Sequence, residues 1–278
     1  MNTHPLHRDV RALTLGFLSL GAQAAPLEVL AAAAEAGFGA AGLRISGRNP
    51  GDPWPGPGAE DDGFERMRAR AEALSVRISS ICGYYISEKT TPSHLQANVD
   101  AARRTGATLI AQSCFEPDLA RVSGLLRDYA RAAAAAGVRI ALEFMPMSAL
   151  KTIGDAQRVI ADSGARNVGL LIDSLHLARS GAGAAEVRAL DPGAILLTQL
   201  CDAPAVRAPS TTLFDEAMSG RMYLGDGGLD LAGLVAALPA DAEIELETPV
   251  VADAALPAAQ RARRAAQKAR AFFAAHFA

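Results

Sequence analysis

The feature that most constrains this chain is an alternation of eight short apolar runs with eight stretches of helical character. The strand-like runs are Ala12–Leu18, Ala40–Ile45, Val76–Cys82, Ala107–Gln112, Val138–Glu143, Val168–Asp173, Ala194–Leu200 and Glu243–Glu247. Between and after them, helical patterning covers Pro26–Ala36, Asp61–Leu74, Pro92–Thr105, Asp118–Ala136, Asp155–Asp162, Ala184–Leu190, Leu229–Leu238 and Ala254–Phe277. Pro26 opens the first of these helices and Gly37 closes it, the usual asymmetry of helix ends. Val168, Leu170, Leu171 and Ile172 run without polar interruption, as in a parallel strand covered by helices on both faces. Right-handed crossovers between parallel strands close on themselves at eight, so the pattern predicts an α/β fold of the (β/α)8 TIM-barrel type. An open doubly wound sheet is the rival, but no Gly-rich phosphate fingerprint follows the first strand. No linker divides residues 1–278, which we read as one barrel domain with a flexible tail at 1–9.

Composition enters chiefly by exclusion. Half of the 278 residues are apolar, enough for a large core, and 27 basic against 30 acidic residues leave a formal charge of −3 with no basic face for a nucleic acid. Cys82, Cys114 and Cys201 are odd in number and lack CxxC spacing, which fits reduced thiols in a cytoplasm better than disulfides. Met1–Asp9 lacks the apolar core of a secretory signal, and the Ala-rich stretches are broken by charge, so no membrane span is expected.

The chemistry gathers where strands end, because barrels of this type place their active sites at the carboxyl ends of the strands. Glu143 closes the fifth run, Asp173 the sixth with His176 three residues on, Gln199 sits at the end of the seventh and Glu247 ends the eighth. Each residue alone has a plainer reading; Asp173, for example, could simply cap the next helix. Four in register are harder to dismiss. Three carboxylates converging on one mouth repel one another unless a cation lies between them. Carboxylate and amide oxygens are hard ligands, which favours Mg²⁺ or Mn²⁺, with Co²⁺ admissible, over a His/Cys zinc site.

From Glu143 onward the motifs Leu-Glu-Phe-Met-Pro, Ile-Asp-Ser-Leu-His, Gln-Leu-Cys-Asp-Ala-Pro and Glu-Leu-Glu resemble the xylose isomerase-like sugar phosphate isomerase/epimerase barrels. The resemblance covers essentially the whole chain. It implies one divalent metal held by Glu143, Asp173, Gln199 and Glu247, with His176 as the second-shell or catalytic histidine. Arg221–Leu229 is similar to the family's Arg-x-x-Pro-Gly-x-Gly stretch, which makes Arg221 a substrate-facing cation. Gln199 stands where isomerases and epimerases mostly carry His and looks like the bacterial 3-dehydroshikimate dehydratase branch. Glu-Phe-Met-Pro and Leu224, in place of the usual proline, depart from that branch.

The chemistry common to these relatives is proton abstraction next to a carbonyl of a polyhydroxy ketone or sugar, through a metal-stabilised enediolate. Glu143 and Glu247 on opposite faces of the substrate would suit isomerisation or epimerisation; His176 as base, with departure of a β-hydroxyl, would give a dehydration of the 3-dehydroshikimate or inosose type. A barrel that binds a sugar without turning it over is a further alternative. An endonuclease IV-like trinuclear zinc site is a poor match, since His94 and His276 fall in helices. The loop Asn49–Gly58 reads as a lid with Trp54 as a candidate substrate cover, while Arg44 and Ser113 face the mouth or simply pack. Arg261, Arg263, Arg264, Lys268 and Arg270 read as the solvated face of the last helix. Phe272, Phe273 and the Ala-rich helices would suit a homo-oligomer.

Overall fold

Eight parallel strands hydrogen-bond in sequence order, and the last pairs with the first, with Thr14 opposite Glu245. The structure, a computed structural model, describes residues 8–54 and 63–278; residues 1–7 of the expected tail, Asp61 and Asp62 of the second helix and residues 55–58 of the expected lid lie outside that description. The strands are β1 (Thr14–Gly16), β2 (Ala40–Arg44), β3 (Arg77–Cys82), β4 (Leu109–Gln112), β5 (Arg139–Glu143), β6 (Val168–Asp173), β7 (Ile195–Leu200) and β8 (Ile244–Leu246). The helices are α1 (Pro26–Ala36), α2 (Gly63–Leu74), α3 (Pro92–Thr105), α4 (Leu119–Ala135), α5 (Ile153–Ser163), α6 (Ser174–Arg179), α7 (Ala184–Arg188), α8 (Leu213–Ser219), α9 (Leu231–Ala237) and α10 (Ala258–Phe277). This is a TIM barrel, as the alternation predicts.

Local chemistry sets the ends of these elements. Gly37 takes a left-handed φ of 86° and returns its N–H to the last carbonyls of α1. Asp118 caps α4 through its carboxylate, and Thr152 with Asp155 forms a reciprocal capping box on α5. Successive strand residues point to opposite faces. Leu43, Ile110, Leu142, Ile172 and Leu246 turn outward into the layer shared with the helices, whereas Leu109, Ala141, Leu171 and Leu197 form a separate cluster inside the barrel.

Several boundaries differ from the sequence reading. The run expected as a strand from Ala12 to Leu18 holds only three strand residues, because 3-10 turns at Val10–Ala12 and Phe17–Leu20 flank it. The last helix starts at Ala258, after a 3-10 turn at Val251–Asp253, rather than at Ala254. The short helix α8 appears where the sequence reading assigns no element, and α6 follows Asp173, in line with the capping role weighed for that residue. Arg261 is not on a solvated face: it is buried, and its Nη1 donates to the Leu20 carbonyl at 2.7 Å, fastening α10 across the β1–β8 seam. Phe272 and Phe273 are buried in the chain's own core, so neither ring is available for self-association. Among the described residues no helix is long and apolar enough to cross a membrane.

Candidate active site

Inward-facing residues at the carboxyl ends of the strands line one cavity of about 240 Å³. Glu143, His176, Gln199, Arg221, Glu247 and Arg44 all contribute to its wall. Asp173 lies just behind, fully buried, where its Oδ1 accepts the backbone N–H of His176 at 2.9 Å and so caps α6. The capping reading and the site reading of Asp173 therefore hold together: the cap is what turns His176 back toward the mouth. Trp54 does not line the cavity. It lies over the guanidinium of Arg44, 5.4 Å from the ring centroid, at the rim.

Two acids share one cation. Arg221 donates from Nη1 to Asp173 Oδ2 at 2.6 Å, and its Nη2 lies 3.0 Å from Glu247 Oε2; Nε donates to the Ala217 carbonyl. The guanidinium is held there by the fold around Asp202. A two-way backbone pairing joins Asp202 to Met222, and the Asp202 carboxylate accepts N–H groups from Ala203, Gly225 and Leu229. The Asp-Ala-Pro motif and the Arg221–Leu229 stretch are thus two halves of one device that aims Arg221.

On the other side, the Ser113 hydroxyl donates to Glu143 Oε2 at 2.6 Å, while Glu143 Oε1 lies 3.7 Å from Nε2 of His176. Glu143, Asp173 and His176, all buried, can each present one ligand atom within 4.8 Å of the others, a cluster that could hold a metal ion. Gln199 reaches across: its Nε2 donates to Glu247 Oε1 at 3.2 Å and to Glu245 Oε1 at 2.8 Å.

Glu245 is the site residue that the sequence reading missed. It lies one pleat deeper than Glu247, inside the barrel, and also accepts a hydrogen bond from Ser80 at 3.0 Å. A carboxyl can stand there only because β1 and β2 carry Gly16 and Gly42 at that layer: a Cβ on either would collide with the Glu245 carboxyl group. The available signal was the spacing Glu243, Glu245, Glu247, three acids on one face of a strand. Arg48, in the loop after β2, also lines the cavity and was not singled out.

The electrostatics follow from burial. Removal from water pushes Glu143 up to about 7, with the Asp173 charge adding to the rise and the Ser113 hydrogen bond opposing it. Burial likewise lifts Glu245 to about 7 against the hydrogen bonds from Gln199 and Ser80. Glu247 is raised by burial and by the neighbouring acids more than Arg221 lowers it. For Asp173 the balance reverses: burial would raise it, but Arg221 and the His176 N–H hold it below its ordinary value. Burial drives His176 down to about 4, which leaves a neutral imidazole at pH 7. Arg221 is the one guanidinium ion-paired to these four carboxyl groups among the described residues, and the excess acids hold protons. Oxygen donors that bind protons for want of positive charge are the donor set a hard divalent cation would fit.

A family model described as xylose isomerase-like TIM barrel matches residues 30–274. No curated protein matches the sequence. Among solved structures, an IolI protein crystallised with a zinc atom aligns at a TM-score of 0.78 and 16% identity, over 96% of this chain and 99% of that one. An L-ribulose 3-epimerase aligns at 0.69 and 18% identity over 95% and 93% of the two chains. A probable 3-DHS dehydratase, AsbF of Bacillus anthracis, aligns at 0.69 and 16% identity over 92% and 97%. Identities this low carry the fold and not the reaction. The closed eight-stranded barrel and a family match running from α1 into α10 lead to one conclusion: the chain belongs to the xylose isomerase-like TIM barrel family, among whose folds are epimerases and dehydratases.

Proposed function

We propose that this protein is a divalent-metal-dependent enzyme that removes a proton next to a carbonyl of a polyhydroxy ketone and returns it to the neighbouring carbon, an isomerisation, or to the opposite face of the same carbon, an epimerisation. The observation that carries the reading is the pair Glu143 and Glu247. They stand at the ends of different strands over one cavity; burial lifts Glu143 to about 7, where a carboxyl can take and give a proton near neutral pH, and raises Glu247 above its ordinary value. Glu143, Asp173, Gln199 and Glu247 would hold the metal, with His176 in reach of the first two. When bound, a divalent ion would polarise the substrate carbonyl and stabilise negative charge developing on its oxygen. Support for a metal also comes from the zinc atom in the IolI relative.

Within this reading each side chain has a defined task. Ser113 fixes one oxygen of Glu143 and leaves the other facing His176 and the cavity. Arg221 keeps Asp173 charged and orients Glu247. Glu143 and Glu247 exchange the proton from their two sides. The neutral imidazole of His176 beside Glu143 favours a second reading, in which it takes the proton and a β-hydroxyl leaves as water. Three free thiols suit a reducing compartment such as the cytoplasm.

The test is deuterium uptake from D₂O next to the carbonyl when the purified protein and Mn²⁺ are incubated with ketoses, inososes and 3-dehydroshikimate. Uptake without loss of water supports the isomerase reading, and loss of water supports the dehydratase. If no ketone exchanges deuterium, the enzyme reading fails and a non-catalytic sugar-binding barrel is left.

A further inference from the structure

The wall of the cavity carries, besides the acids and Arg221, two further guanidinium groups, Arg44 and Arg48, with no carboxylate ion-paired to either among the described residues. Arg44 is buried, donates from Nε to the Ser46 carbonyl at 2.8 Å, and has an Nη2 with no hydrogen-bond partner among the described residues. Aromatic rings surround it: Phe17 at 5.8 Å, Trp54 at 5.4 Å and Tyr85 at 5.5 Å. Arg48 lies over Tyr85 and Phe214, and its Nη2 reaches only the Met218 sulfur at 3.2 Å. The nearby acid Asp52 is turned away, its Oδ2 accepting from Asn49.

A buried guanidinium donor without an acceptor costs stability, and the rings around Arg44 leave its Nη2 unsatisfied. A planar carboxylate is the acceptor that two such forks match. Much of the wall is apolar, with Phe115, Met145, Met147, Leu171, Phe214 and Met218, and of its neutral polar groups Ser80 and Ser113 already donate to acids while Asn49 accepts from Ser87. Phe115 and Tyr85 stack at 5.6 Å, 20° from parallel, and present a flat surface. Hydroxyls of a polyol would meet few partners along that wall, whereas a flat or apolar carbon skeleton would fit it.

We propose that Arg44 and Arg48 form a carboxylate subsite, so that the substrate is an organic acid with a flat or apolar skeleton, its carboxylate on the two arginines and its reacting carbonyl toward Glu143 and Glu247. The substrate class rests on the proposed reaction; the subsite does not, and its test involves no turnover.

The full-length, metal-free protein is titrated with benzoate, benzamide, myo-inositol and inorganic phosphate, read by calorimetry and by the fluorescence of Trp54, the single tryptophan. Benzoate should bind roughly tenfold or more tighter than benzamide, its uncharged isostere, and perturb Trp54, with inositol and phosphate weaker than benzoate. Arg44→Gln and Arg48→Gln should each remove most of the benzoate preference and leave benzamide unchanged. Because Arg44 is buried, its variant is read only if the circular dichroism matches the parent; Arg48, at the rim, carries the test otherwise. Equal binding of benzoate and benzamide overturns the proposal, as does tighter binding of inositol or phosphate, benzoate that fails to bind in the millimolar range, or a preference untouched by Arg48→Gln. Absence of deuterium exchange would sink the proposed reaction and leave this subsite standing; the reverse holds for a lost benzoate preference.

Discussion

The carboxyl group of Glu245 fills the space that a side chain on Gly42 would need, and a Cβ there would also stand 2.8 Å from the Ser80 hydroxyl that Glu245 binds. Gly42→Ala should therefore destabilise the protein by about 1–3 kcal/mol through overpacking. Combining it with Glu245→Ala should give a double variant more stable than the sum of the two losses, since the clash needs both partners. Urea unfolding of the four proteins checks this; strict additivity would refute the packing argument.

Acid pairing in the mouth sets a pH dependence of stability for the metal-free protein. Between the ordinary value of 4.5 and about 7, folded Glu143 and Glu245 hold protons that the unfolded chain has released. Their contribution is complete below 4.5 and lost as pH rises through 7. His176 opposes them: it is neutral in the fold down to about 4, whereas the unfolded imidazole charges below 6.5, so its contribution is present above 6.5 and lost as pH falls through 4. Two carboxyls, joined by the raised Glu247, outweigh one imidazole. The melting temperature should fall over this window, Glu245→Gln should flatten the slope, and Mn²⁺ should recover stability at the alkaline end. A melting temperature that is level or rises with pH would contradict the assignment.

Glu143→Gln and Glu247→Gln keep the size of each side chain and remove its proton chemistry. Each should lower kcat by about 10²–10⁴-fold, with an unchanged circular dichroism spectrum. Turnover retained in either variant would remove that residue from the reaction.

Arg221→Ala would leave Asp173 and Glu247 buried without their shared cation, a loss of about 3–5 kcal/mol. The loss should be smaller at acidic than at alkaline pH, because a protonated Glu247 no longer needs the guanidinium. Arg221→Lys retains charge but not the two-pronged reach, so it should fold and turn over poorly. Thermal melts at two pH values and steady-state kinetics distinguish these outcomes.

The fold was legible in the sequence because each long element carries its own punctuation: Pro26 and Gly37 bracket α1, and the uninterrupted run before Asp173 marks β6. An apolar run could not say where β1 stops, since Phe17–Leu20 is as buried in a 3-10 turn as it would be in a strand. Seven residues are too few to show helical period, which hid α8, while the equally short α6 was legible only through its cap, Asp173. The structure gathers Glu143, Asp173, Gln199 and Glu247 around one mouth, as their strand-end positions suggest. The Arg221 bridge between Asp173 and Glu247 left no trace, because 48 residues separate Arg221 from Asp173. Arg44 was ambiguous from its strand end alone; its ring cage comes from three separate segments that no local pattern links.

Both Glu245 and Glu247 hang on the last strand, whose closing partner is β1 more than two hundred residues earlier. A chain emerging from the ribosome therefore carries half of its acidic mouth, with nothing opposite, until residues 244–247 are threaded between β7 and β1. The acidic mouth is thus a property of the closed ring: only the pairing of β8 with β1 brings Glu245 and Glu247 to face Glu143, Asp173 and His176.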